Sequence, residues 1–144
     1  MSSVWLLLIA ACLTPGCRDN ASPRLNGSYV LDKDATMAFL ETSFKDDKEK
    51  LAGFDGMLSK RMTIDFHGSR QTIILEGETI TRPYRVAETG PNHLIIECEW
   101  SDLEAAIIGD DIERQRIEFT ADGFWMGSSE IAMKQFRQKY VRKQ

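Results

Sequence analysis

From Arg61 onward, apolar residues recur at every second position in short runs, and each run closes on a turn signal. That pattern leaves few options except successive antiparallel hairpins. Met62, Ile64 and Phe66 share one face, Gly68-Ser69 fits a two-residue turn, and Gln71 to Glu76 returns carrying Ile73 and Leu75. Gly77-Glu78 marks the next reversal. The segment Thr79 to Ala87 contains Pro83, which has no amide hydrogen for a ladder, so a bulge or an edge position is predicted there. Thr89-Gly90-Pro91-Asn92 turns the chain into His93 to Trp100, the clearest strand, with Leu94, Ile96, Cys98 and Trp100 on one face. Ser101 to Asp111 is a longer connection with room for one helical turn around Leu103 to Ile108. Ile112 to Thr120 then meets Phe124 to Met126 across Ala121-Asp122-Gly123, where Asp-Gly is the strongest short hairpin signal in the chain. The final segment fits two patterns: Met133, Phe136 and Tyr140 suit a helix starting near Ser128 or Ser129, whereas Phe136, Gln138 and Tyr140 suit a closing strand, the preferred reading.

Upstream, Leu25 to Asp32 reads as a first strand ending at a helix cap supplied by Asp32 or Asp34. Met37, Leu40, Phe44 and Leu51 recur at helical spacing, which predicts an amphipathic helix from Ala35 to about Leu51. The charged run Lys45 to Lys50 lacks the spaced oxygens and central glycine of a calcium loop and reads as a solvated helix face. Gly53 and Gly56 are expected to break the helix, leaving Phe54, Met57 and Leu58 to pack a short second turn or helix under the sheet. The fold class is therefore mainly β within α+β: an N-terminal strand, an amphipathic helix, then an up-and-down meander over residues 25–144. Curling into a barrel or half-barrel would shorten or remove the sheet edges.

The first seventeen residues say something different. Val4 to Leu13 is an apolar run of ten residues without charge, within the length of a secretory signal core and far short of the ~20 a spanning helix needs. It ends in Thr14-Pro15-Gly16-Cys17, whose small residues resemble a bacterial lipobox. Pro15 and the absence of Lys or Arg from Met1 to Val4 depart from that pattern. Residues 1–16 are read as a signal peptide and 17–24 as a linker lipidated at Cys17, with Cys12 as the alternative site. The resemblance implies a lipoprotein held at a membrane of the cell envelope, on the exported side. Cysteine usage agrees, because Cys98 would then be the one thiol left and no disulfide could form within the mature chain. Its place among apolar residues of a strand reads as buried filler.

Gly27-Ser28-Tyr29 stands where lipocalins carry Gly-x-Trp on their first strand, and the late stretch Phe136-Arg137-Gln138-Lys139-Tyr140 is basic and aromatic. On these residues and on the order of elements, the chain resembles the lipocalins and the related intracellular fatty-acid-binding proteins, a calycin-type barrel. In those families a late arginine packs on the first-strand tryptophan or helps bind a ligand carboxylate, which implies Arg137 here, opposite Tyr29. The resemblance implies binding of a small apolar ligand, with Tyr29, Trp100, Phe119, Trp125, Arg137 and Tyr140 as ligand-binding candidates.

No catalytic or metal signature stands out. His67 and His93 are the two histidines, and Asp65 shares a face with His67, a pair that also fits an ordinary solvated strand face. Ser128-Ser129 follows Gly127 without a nucleophile elbow, and no glycine-rich phosphate loop occurs. The reading is a protein that is not an enzyme and has no cofactor. A net charge of -4 offers no footprint for nucleic acid, although Lys134, Arg137, Lys139, Arg142 and Lys143 make the end of the chain basic enough to meet anionic headgroups. Inward aromatics such as Phe124 and Trp125 would line either a packed core or a cavity. Two readings follow: a barrel binding a small apolar ligand, or a filled domain acting on another envelope protein through its surface.

Overall fold

The computed structural model describes residues 21–100, 112–128 and 130–144. Eight antiparallel strands form a closed barrel in simple meander order. They are β1 (Gly27–Leu31), β2 (Met62–His67), β3 (Arg70–Leu75), β4 (Glu78–Thr89), β5 (His93–Glu99), β6 (Ile112–Phe119), β7 (Gly123–Gly127) and β8 (Gln138–Arg142). Helices α1 (Lys33–Ser43) and α2 (Lys48–Met57) join β1 to β2, and α3 (Glu130–Gln135) joins β7 to β8. All three lie at one end of the barrel, here the helix end. The hairpins β2-β3, β4-β5 and β6-β7 turn at the other, the closed end. Among the described residues, no helix is long and apolar enough to cross a membrane.

Closure rests on β8, which pairs Tyr29 with Arg142, Val30 with Val141 and Leu31 with Tyr140. The helical and strand readings of the last segment each hold for part of it, since α3 ends at Gln135 and β8 starts at Gln138. Closing the ring removes the free edges that an open meander of this length would expose. Among the described residues, every strand and the main buried cluster lie between Leu25 and Arg142. The signal and lipidation readings at residues 1–20, including Cys12 and Cys17, and the connection at 101–111 lie outside the described residues.

Several local expectations are corrected. Asp32 does cap the first helix, its carboxylate accepting from the Ala35 amide, but the helix stops at Ser43. Asp47 then caps a second helix through the Lys50 amide, so the charged run spans a helix junction and the first turn of α2. Gly53 and Gly56 break nothing. Both lie inside α2, where an added Cβ would meet no atom within 4 Å. Met57 is 54% exposed, while Phe54 stacks between Phe44 and Phe136 at 5.4 and 5.1 Å and Leu58 is buried. The β3-β4 turn is Glu76-Gly77, one residue earlier than predicted, with φ of 50° and 83°; positive φ at both central residues matches the strand twist.

Pro83 holds an edge position, as predicted, and not a bulge: among the described residues it pairs with β3 alone, so its missing amide hydrogen costs no ladder bond to β5. It falls where β4 changes partner: its pairing with β3 ends at Arg70 and Pro83, and its pairing with β5 begins at Tyr84 and Cys98. The irregularity lies further on, between Val86 and Glu88.

Candidate functional site

Alternation sorts the side chains into inside and outside, and the barrel interior has two unlike walls. Tyr29, Phe66, Phe124 and Tyr140, from β1, β2, β7 and β8, are at most 1% exposed. Tyr29 and Phe124 meet at 4.7 Å between ring centres, Phe124 and Tyr140 at 5.4 Å, and Phe66 meets Tyr84 of β4 at 5.4 Å. These rings fill their half of the interior, in the edge-on and offset contacts that aromatic quadrupoles favour. Burial raises the hydroxyl pKa of Tyr140, and of Tyr29 despite the Arg142 charge beside it.

The opposite wall is polar. Arg82 of β4 is buried and donates through Nε to Gln71 Oε1 at 2.8 Å, and its guanidinium ion-pairs with Glu113 of β6. Gln71 Nε2 donates to Gln115 Oε1 at 3.0 Å across the barrel. The Cys98 thiol lies 3.5 Å from Gln71 Oε1 and 3.7 Å from Gln115 Oε1. Burial pushes that thiol up to about 12, which keeps it protonated, so Cys98 is filler with a weak donor. The Arg82 guanidinium also stacks over Trp100, 4.6 Å from its ring centre. Gln71, Arg82, Glu113 and Gln115 carry no signal of this in the sequence, because polar residues on alternating strands read as outward-facing until the register is known.

At the helix end, Leu75 shares a face with Gln71 and Ile73, and Ile80 shares one with Arg82 and Tyr84, so both belong to the inner face. They are nonetheless 36% and 44% exposed. With Met57 they are the exposed large hydrophobic residues among those described. Residues 78–83 of β4 pair with β3 alone among the described residues. A cleft of about 320 Å³, lined by Pro83, Tyr84, Cys98, Glu99 and Ile112 among others, opens where β4 leaves β5.

The candidates named from sequence therefore scatter. Tyr29 and Tyr140 belong to the packed aromatic half, and Trp100 adjoins the polar wall under Arg82. Phe119 packs against the core near the closed end, with the Arg24 guanidinium 4.1 Å from its ring centre. Trp125 points outward, in correction of its expected inward orientation: in β7 Phe124 and Met126 face the core, and Trp125 meets Phe39 of α1 at 5.7 Å. Arg137 stands 4.3 Å from the ring centres of both Phe39 and Trp125, outside the barrel. The arginine over Tyr29 is Arg142, 5.1 Å from the ring centre. Arg137 precedes β8, whereas Arg142 ends it directly opposite Tyr29. Asp65 and His67 share the outer face of β2, with Asp65 between Ser28 and Thr72 in register. Among the described residues no three His, Cys, Asp or Glu side chains converge as metal ligands would.

The closed antiparallel barrel with Tyr29 packed beneath a late arginine is compatible with a lipocalin-like architecture. Searches for similarity return no matching family model, no matching curated protein and no matching solved structure.

Proposed function

We propose that this chain is a non-enzymatic lipoprotein of the cell envelope, held at a membrane through a lipid on Cys17, whose lipocalin-like barrel binds a small apolar ligand at its helix end. The observation that carries the binding reading is the exposure of Leu75 and Ile80 on the inner face. In a barrel filled throughout, inward orientation and burial coincide, as they do at Ile64, Phe66 and Ile96. At Leu75 and Ile80 they part. Apolar surface at that mouth stays in water at a cost of about 25 cal/mol per Å², which an apolar ligand would relieve. Arg82, Glu113 and Gln71 stand behind the rim to meet a polar group, and the packed rings of Tyr29, Phe124 and Tyr140 restrict the ligand to a small one. Eight strands enclose room for side chains or for one small ligand.

A second reading, a filled domain that acts on another envelope protein, draws on those same packed rings. The two readings separate in residues 18–144 carrying Trp125→Phe, where Trp100 is the one remaining tryptophan. Titration with dodecanoate is expected to shift Trp100 emission saturably, and Ile80→Asp to weaken that response about tenfold. No response at any concentration below micelle formation overturns the binding reading. For the tether, Cys17→Ala is expected to move the full chain from the membrane fraction to the soluble fraction; retention there contradicts it.

A further inference from the structure

Three cations gather at the closed end of the barrel, and among the described residues none has a carboxylate as a side-chain partner. Arg24 donates to the carbonyl oxygens of Gly90 and Pro91, at 3.3 and 3.1 Å. Arg142 donates to the Asn26 carbonyl and to the Tyr29 hydroxyl, at 3.1 and 3.0 Å. Lys143 is exposed, and it lines with the two arginines a cleft of about 320 Å³. The acid in that cleft, Asp122, is already matched: Lys139 Nζ approaches it at 2.8 Å, and this contact with that from Thr120 holds its carboxyl below the usual range. These neutral acceptors position the guanidinium groups, and no ion pair among the described residues compensates their charge.

We infer that the closed end is the membrane-facing end, and that the cleft of Arg24, Arg142 and Lys143 takes the phosphate of an anionic phospholipid headgroup. Position supports this as well as charge. The N-terminal segment crosses the closed end, where Leu25 is buried in the core and the Ser22 amide lies 3.3 Å from the Tyr84 hydroxyl. Ala21 follows Cys17 by four residues, a reach of at most about 14 Å. A lipid on Cys17 therefore brings this end of the barrel to the bilayer and leaves the mouth at Leu75 and Ile80 on the far side. The orientation rests on the lipoprotein reading; the headgroup site does not.

The test uses residues 18–144 without lipid, so its outcome is independent of whether Cys17 is modified. Co-sedimentation is measured with vesicles of phosphatidylcholine alone and of phosphatidylcholine with one-third phosphatidylglycerol. Binding is expected for the anionic vesicles only, and lost in 0.5 M salt. Each surface cation contributes about fivefold to such binding, so Lys143→Gln should weaken it about fivefold and Arg24→Gln with Lys143→Gln about twenty-five-fold. Lys143 makes no side-chain hydrogen bond or ion pair among the described residues, so its variant isolates charge from folding. Lys45→Gln with Lys48→Gln, on and before α2 at the other end, should change nothing. Equal binding to neutral vesicles, or anionic binding that Lys143→Gln leaves intact, overturns the inference.

Discussion

Arg142 donates to the hydroxyl of Tyr29 at 3.0 Å and lies over its ring, tying the last strand to the first where the barrel closes. Gly27 makes room for this contact: a Cβ there would fall 2.7 Å from an Arg142 guanidinium nitrogen, and its φ of +142° disfavours any side chain. Losing one charged hydrogen bond and a cation–π contact costs about 2 kcal/mol. Arg142→Gln should therefore lower the melting temperature by several degrees. Tyr29→Phe and Arg142→Gln should be non-additive in a double-mutant cycle. Additive effects would mean that the pair does not couple.

Phe124 and Trp125 are neighbours with opposite orientations. Phe124→Ala opens a cavity among Tyr29, Phe66 and Tyr140 and should cost about 3–5 kcal/mol. Trp125→Phe keeps a ring under α1 and should cost less than about 1 kcal/mol. Chemical denaturation of the two variants reads this difference directly.

The sequence shows only part of this arrangement. The alternation in β2 and β5, the Asp-Gly turn and the Asp32 cap follow from local chemistry, and they are visible in the sequence. The direction of Trp125 is not, because Phe124-Trp125-Met126 is apolar at three consecutive positions and carries no alternation of its own. Its direction is set by pairing, Phe124 to Tyr140 and Trp125 to Lys139. The pairing of Arg142, rather than Arg137, with Tyr29 is hidden for the same reason, since a cross-strand partner depends on where β8 starts. The buried Arg82 network has no local signal, and only closure of the barrel brings β4 and β6 residues together.

Removing one member of the Arg82–Glu113 pair should be worse than removing both. Glu113→Gln leaves the Arg82 charge on the inner wall without its partner and is expected to destabilise by about 2–3 kcal/mol, whereas Arg82→Met with Glu113→Leu, which gives up the Gln71 hydrogen bond but leaves no unpaired charge, should cost less. Urea denaturation of both variants measures this, and a single variant as stable as the double one contradicts a buried pair.

The Cys98 thiol gives a pH signature. Its pKa is about 12 in the folded protein, above the ~8.5 of a free cysteine, so the unfolded chain ionises first. The associated stability is complete below about pH 8.5 and declines as pH rises towards 12, by up to about 1.4 kcal/mol per pH unit. Tyr29 and Tyr140, whose pKa values are also raised by burial, add to the loss above about pH 10. Denaturation midpoints at pH 8 and 10 should differ less in Cys98→Ala than in the parent chain. In residues 18–144, where Cys98 is the one cysteine, an aromatic disulfide reagent should label it only on unfolding, and prompt labelling of the native protein contradicts its burial.

The central claim, that the barrel accepts a small apolar molecule, is tested most directly by native mass spectrometry of residues 18–144, comparing native and denatured masses. A stoichiometric adduct that is lost on denaturation, or one formed with added dodecanoate, is the predicted result. Identical native and denatured masses, with no complex on adding dodecanoate or other apolar probes, would contradict it and turn attention to a partner protein on the barrel's surface.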